Sequence, residues 1–438
     1  MFVKWKSITI YGVLLFLTLI YLYRENSTSG AYVDSGFAKQ YPSKETLNSL
    51  SLTEEQCDAA FPGLNKQIDD AAARGPFHLS KGLDTAHGSV EGRIKNGRKL
   101  YIISAEQDNV LRRIRAILHS LHRAIITSPT QVPDTVFSIN INDEPRANTW
   151  SFARSDDHFT PPNVWLMPHF SSWSWPVEYV GPLDEALSKI DEIEAHTTWH
   201  EKIDKAVWRG TAWFDPDWDM GLRPKLVKAT EGKEWADVQL WGQGQEGKNN
   251  TLAIEDFCRN KYIIYAEGKT YSGRLPYHQA CASIILTPPP TFLLHTTHLI
   301  RPLFSSLLPL SPIHPSSPHP AFPTPPSPTS YPIPSTNITW PLSYPPSLAN
   351  AVFVHPDWSD LEAVIGYLEA NPATAQGIAE RQRETMVARG YLSQAAEVCY
   401  WRRLIRSWSE TASWEESEWE DGMRWETFSL LGKTTYEV

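Results

Sequence analysis

The chain has 438 residues, 41% of them hydrophobic, with 40 basic against 50 acidic side chains and a formal net charge of -10. That length carries enough apolar material for two ordinary cores. The acidic balance, with a sequence pI near 5.8, argues against nucleic acid as a partner, because gripping a phosphate backbone takes a basic face.

Ile8 to Tyr23 is an uncharged, largely apolar run, preceded by Lys4 and Lys6 and followed by Arg24 and Glu25. It falls a little short of the roughly 20 residues of a plasma-membrane span and suits a thinner secretory-pathway bilayer. The leading lysines predict a cytosolic tail over 1–7, a signal anchor over 8–23 and a lumenal body. The competing reading is a cleaved signal peptide, with Ser29, Gly30 and Ala31 at the cleavage site. Asn26, Asn249 and Asn337 each open an acceptable N-glycosylation sequon. Cys57, Cys258, Cys281 and Cys399 form an even set that allows two bridges in three connectivities. The chain ends Thr434-Thr435-Tyr436-Glu437-Val438 without a KDEL-type retrieval signal, so the expected address is the Golgi membrane, as a single-pass type II protein.

Residues 24–52 are polar and rich in Ser and Thr, a flexible stem. Thr53-Glu54-Glu55-Gln56 is a capping-box signature ahead of a helix that carries Cys57. Val90 to Ile103 reads as a hairpin turning at Asn96-Gly97. Between Asn109 and Ile126 the apolar residues Val110, Leu111, Ile114, Ile117, Leu118, Leu121 and Ile125 recur at helical spacing. The cluster Arg112, Arg113, Arg115 on that helix reads as one solvated face.

Further on, strands are expected at 135–141, 164–167, 206–208, 238–241, 262–266, 284–286 and 351–354. Helices are expected at 184–193, 223–230, 274–282 and after Ser359. Such alternation implies parallel sheets flanked by helices, an α/β chain with two Rossmann-like lobes around a cleft. The lobes are placed at 53–198 and 199–408. The Pro-rich stretch 309–335 can form no sheet ladder and reads as a disordered insert in the second lobe. Residues 409–438 are taken as a C-terminal tail.

The chemistry concentrates between Lys205 and Leu286. Arg209, Arg223 and Arg274 each fall where a strand-like run gives way to a turn or helix start, the place where α/β sheets bind anions, and such a site suits a diphosphate. Asp143 and Glu144 follow a strand end, and alternation leaves their directions ambiguous. Asp215-Pro216-Asp217 and Asp217-Trp218-Asp219 imitate a metal-binding DxD but lie in a Trp-rich loop with no strand of their own, so no metal site is assigned. His295 and His298 lack a third ligand nearby and read as structural. Most of the 18 tryptophans belong in cores, while Trp173 and Trp175 are candidate platforms for an acceptor sugar.

Trp208-Arg209-Gly210-Thr211 followed by Arg223, then CRNKYIIYAEGKTYSGRLPYHQACASIIL over 258–286, then AEVCYW over 396–401 resembles the fungal capsule-associated glycosyltransferases and the related protein O-glucosyltransferases of glycosyltransferase family 90. The similarity spans about Cys57 to Trp408 apart from the Pro-rich insert. It implies a GT-B-like fold, a UDP-xylose or UDP-glucose donor, a glycan or protein hydroxyl as acceptor, and inversion at the anomeric carbon. By the resemblance, Thr211, Arg223 and Arg274 contact the diphosphate, with Ser272 and Gly273 letting the backbone approach, and Asp143 is the catalytic aspartate. Arg209 either joins the donor site or braces the turn, and His278 is a candidate lining residue of the donor pocket. The expectation is an inverting glycosyltransferase that needs no cofactor beyond its donor. The alternative is an inactive lumenal carbohydrate-binding protein of the same fold. A glycoside hydrolase would need two opposed carboxylates, and no pair stands out.

Overall fold

In the computed structural model, which describes residues 41–81, 89–106, 110–155, 161–216, 219–241, 250–309 and 339–435, the turn expected at Asn96-Gly97 joins β1 (Ser89–Lys95) to β2 (Lys99–Ala105). Both turn residues have left-handed backbone, φ 52° and 62°. A Cβ on Gly97 would also lie 2.9 Å from the Val132 carbonyl, so glycine is required there twice over. The strands of the two large sheets continue in chain order as β3 (Thr135–Asn140), β4 (Trp150–Ser151), β5 (Trp165–Leu166), β6 (Ile203–Gly210), β7 (Ala236–Leu240), β8 (Asn260–Ile264), β9 (Ile284–Thr287), β10 (Pro302–Phe304), β11 (Ala351–Phe353) and β12 (Met423–Arg424). All belong to the compact unit Pro42–Val438, and Met1–Tyr41 is a separate unit. The apolar run Ile8–Tyr23 lies outside the described residues, as do stem residues 24–40 and positions 310–335 of the Pro-rich stretch. No helix among the described residues is long and apolar enough to cross a membrane.

The first sheet has the order β12-β2-β1-β3-β4-β5. The expected hairpin forms, but the expectation of a parallel sheet holds only in part: β12, β2, β1 and β3 run antiparallel, and only β3, β4 and β5 are parallel. A tight hairpin can return only antiparallel, and that local fact sets the direction of this half. Helix Leu111–Ile126 buries Ile114, Ile117, Leu118, Leu121 and Ile125, the stripe its periodicity marks out. Residues 409–438 are not a free tail. Met423–Arg424 pairs with Tyr101 and Ile102 of β2, and Trp425 and Phe428 of helix Trp425–Leu431 are buried in the same core.

Helix Gln394–Thr411, placed by sequence in the second lobe, also belongs to this core. Its Trp408 indole N–H donates to the Val136 carbonyl at 2.8 Å, its Tyr400 hydroxyl donates to the Leu166 carbonyl at 2.9 Å, and Cys399 bonds to Cys57. At the far end of that bridge the expected capping box forms: Thr53 Oγ1 accepts from the Gln56 N–H, and Gln56 Oε1 from the Thr53 N–H.

The second sheet is wholly parallel, ordered β7-β6-β8-β9-β11-β10. β9 and β11 are buried along their whole length, as strands covered on both faces must be. From β6 the chain goes through helix Leu222–Thr230 to β7 on one side, then to β8 on the other. The strand order therefore reverses between β6 and β8, the crevice where open α/β sheets bind ligands. The helix expected over 274–282 is only Leu275–Gln279. The chain leaves it early because Cys281 is bonded to Cys258 and the Ala282 N–H is taken by Glu194 at 2.8 Å.

Candidate active site

At the end of β6 the Arg223 side chain ties the two flanking loops together. Its Nε donates to the Glu267 carbonyl at 3.0 Å and its Nη1 to the Thr211 carbonyl at 3.1 Å and hydroxyl at 3.3 Å. The guanidinium lies over the Trp208 ring, 5.8 Å from its centroid. Arg274 reaches the same place from the loop after β8, its Nη1 donating to the Arg209 carbonyl at 2.5 Å. Neither guanidinium is ion-paired with a carboxylate among the described residues, although Asp215, which accepts the Arg223 main-chain N–H, is close enough to favour the Arg223 charge. Burial holds Arg223 below the usual guanidinium range. Burial, followed by repulsion from Arg223, pushes Arg274 down to about 10. Two neighbouring cations, Arg223 buried and Arg274 half-buried, in a sheet's switch-point crevice can receive an anion.

Both arginines border a cavity of about 820 Å³, which Asp143, Arg209, Thr211, Ser272, Gly273 and Trp175 also line. Asp143 stands just past β3. Its Oδ1 accepts from Arg113 Nη1 at 3.1 Å and from the Tyr271 hydroxyl at 3.5 Å, and about half of its side chain is exposed, 54%. Glu144 pairs with Lys269. The neighbouring loop is set by close packing. A Cβ on Gly273 would fall 2.8 Å from His169 Cε1 and 3.1 Å from the Trp175 ring, so this glycine serves its protein neighbours rather than ligand approach. Nor is the Ser272 N–H free for phosphate, since it donates to the Tyr265 hydroxyl at 3.0 Å.

One open alternative is decided and two further expectations change. Arg209 is a brace: it donates to the Asn250, Trp208 and Asp237 carbonyls and pairs with Asp237 Oδ2 at 2.8 Å, which leaves its guanidinium committed although the residue borders the cavity. His278 is away from the cavity lining. It is buried against Phe257, with ring centroids 4.8 Å apart, and desolvation holds it well below the usual imidazole range. Trp173 also lies off the cavity. It stacks on His119 at 5.0 Å, and the Arg123 guanidinium lies 4.9 Å from its ring centroid, whereas Trp175 does line the site.

The DxD imitation is occupied by protein. Asp215 Oδ1 accepts the Arg223 N–H at 3.0 Å, Asp219 pairs with Lys225 at 2.7 Å, and Asp217 lies outside the described residues. His298 Nε2 donates to the Gly63 carbonyl at 2.8 Å and His295 packs on Tyr400, structural roles both.

A family model described as Glycosyl transferase family 90 matches residues 84–312, just over half of the chain. The chain belongs to that family. O-glucosyltransferase rumi of Drosophila pseudoobscura pseudoobscura is similar to it, 23% identical over 331 residues that make up 69% of this chain and 66% of the relative. Within this family-90 chain two contributors were not singled out by sequence. Arg113, read as part of a solvated face, turns toward Asp143 and lies over Phe170 at 5.0 Å; nothing local distinguishes it from Arg112. Tyr271 sits inside the conspicuous motif, and its place beside Ser272 was the signal available.

Proposed function

We propose that this family-90 glycosyltransferase moves glucose or xylose from a UDP donor to a glycan or protein hydroxyl in a single displacement that inverts the anomeric carbon. The carrying observation is the Arg223–Arg274 pair, a buried and a half-buried guanidinium in one crevice, neither of them ion-paired with a carboxylate among the described residues. The activity in the relative's name, O-glucosyl transfer, favours glucose. In the proposed step the acceptor oxygen attacks the anomeric carbon as Asp143 takes its proton. The bond to the β-phosphate oxygen breaks and its electron pair leaves with UDP, whose growing charge falls on Arg223 and Arg274. The two sheets are read as the two lobes of a GT-B-like arrangement, and the donor is the only small molecule required. The apolar run at 8–23 with its leading lysines, together with two disulfides, supports a membrane-anchored enzyme facing an oxidising lumen, with the Golgi as the proposed compartment.

The test is acceptor-dependent release of UDP by the purified protein from UDP-glucose and UDP-xylose. Asp143→Asn is expected to lower turnover about 100-fold or more, the scale of losing a general base, with UDP affinity kept. An Asp143→Asn variant that turns over at the wild-type rate would refute the assignment of the base.

A further inference from the structure

Asp143 is held from three directions, and two of the contacts come from the loop that carries Arg274. Arg113 reaches it from helix Leu111–Ile126, with Nη1 3.1 Å from Asp143 Oδ1 and 3.5 Å from the Ile141 carbonyl. Thr270 Oγ1 donates to the Asp143 main-chain carbonyl at 3.1 Å, and Tyr271 Oη donates to Oδ1 at 3.5 Å. One residue further along each loop, Lys269 and Glu144 form an ion pair. Both polar contacts to the carboxylate fall on Oδ1, and no described residue donates to Oδ2, which is left for an acceptor hydroxyl.

From this arrangement, and resting on the reading of Asp143 as the base, we infer that Tyr271 and Arg113 are positioning residues which clamp Oδ1 and aim Oδ2 at the acceptor. The base is thereby built partly out of the donor-binding loop. Tyr271 is suited to the task because its ring is fixed, lying 5.4 Å from the His169 ring and 6.4 Å from Phe152. Its hydroxyl stays a donor, since burial and then the nearby carboxylate hold the phenol well above its usual range. The 3.5 Å separation is at the long end for a hydrogen bond, as such contacts are before substrate draws the site together. The other charged groups bordering the cavity are Arg146, Arg209, Arg223, Arg274, Glu144 and Lys269, and only Arg113 among the cations is bonded to the Asp143 carboxylate. Proton balance is unchanged by the clamp: the acceptor proton passes to Oδ2, while Tyr271 and Arg113 keep theirs.

Tyr271→Phe keeps the buried ring and removes the one atom the inference needs. Its kcat is expected to fall about tenfold, the size of one lost hydrogen bond to a charged group, with the Kd for UDP and the Tm unchanged. Combining it with Asp143→Asn should add no further loss, because there is then no base to aim. Arg113→Met should lower kcat at least as much, with partial recovery in Arg113→Lys. Wild-type kcat in Tyr271→Phe, or a tenfold loss repeated in the Asp143→Asn background, overturns the clamp. The first leaves Asp143 as base and the second makes Tyr271 a scaffold residue. An active Asp143→Asn instead removes the underlying assignment, so the two failures are distinct.

Discussion

Replacing Arg274 by methionine should move stability and ligand binding in opposite directions. The side chain is half-buried in the cavity wall, and its depression from 12.5 to about 10 means that at neutral pH the charged form is disfavoured by about 3 kcal/mol relative to water. Methionine fills most of the same volume without the charge, so that penalty disappears. Against it stands the lost hydrogen bond to the Arg209 carbonyl, worth about 1 kcal/mol. The ligand-free variant should therefore gain about 2 kcal/mol, a rise of a few degrees in Tm for a chain of this size. The diphosphate contact is lost at the same time, and with it about 2–4 kcal/mol of transition-state stabilisation, some 30- to 1000-fold in kcat/KM. Differential scanning with and without UDP reads both effects: wild-type Tm should climb with UDP concentration as mass action requires, whereas the variant should start higher and respond weakly. A variant that melts lower than wild type and keeps the full UDP-dependent rise would show Arg274 to be a structural brace, and the reasoning from uncompensated charge would be wrong.

Gly273→Ala should cost about 1–3 kcal/mol, because the new methyl meets His169, which is itself fixed by Ser171 through an Oγ–Nδ1 bond of 2.7 Å and cannot retreat without breaking it; chemical denaturation at pH 7 measures the loss, and an unchanged midpoint refutes it. Acid should weaken the fold through His295 and His298, which burial pushes down to about 3 and about 4. Above their unfolded value of about 6.5 both states are neutral and nothing is lost, but below it only the unfolded chain takes up protons, so stability falls as pH drops from 6.5 toward 4, by on the order of 2 kcal/mol for each at pH 5. Urea midpoints at pH 7 and 5 test this, and a His298→Gln variant should show a shallower dependence.

What the sequence makes legible is what neighbours in the chain decide. The stripe at Ile114, Ile117, Leu118, Leu121 and Ile125 faces one core because helical spacing alone puts it on one side. Asn96-Gly97 turns because few other pairs tolerate positive φ twice in succession. The choices that escaped depend on distant partners. Nothing near Arg113 reveals that its helix starts beside the Asp143 loop, and Trp173 and Trp175, two residues apart, face different environments because the one finds His119 and the other His169. Residues 409–438 look like a tail for the same reason: β12 is two residues long, too short to carry alternation, and becomes a strand only against β2. The three arginines are legible as a group, since each lies at or beyond a strand's C-terminal end, yet what sets Arg209 apart as a brace is long-range: Asp237, opposite Val207 one strand away, pairs with it, and the Asn250 and Asp237 carbonyls accept its remaining N–H groups.

If Arg223 and Arg274 receive the donor as proposed, the loop between β8 and β9 needs support from elsewhere. Arg223 and Arg274 repel one another until an anion arrives, so the chain between β8 and β9 must be held in place by groups that do not touch the ligand. Cys258 and Cys281 close its base across 23 positions, a restriction of the unfolded chain worth about 3 kcal/mol by loop entropy. Tyr265 accepts the Ser272 N–H from below, and the buried carboxylate of Glu267 takes the Thr291 and Phe292 N–H groups and the Thr291 hydroxyl. The Glu267 main-chain carbonyl accepts from Arg223, while its carboxylate is spent on the Thr291 and Phe292 backbone; the carboxylate that favours the Arg223 charge is Asp215, which is held on the Arg223 main-chain N–H. A carboxylate turned toward Arg223 would make the empty protein more stable and compete with every diphosphate that entered. Stability withheld from the two arginines is thus supplied around them, and the charge they leave unanswered is what an anionic leaving group can use.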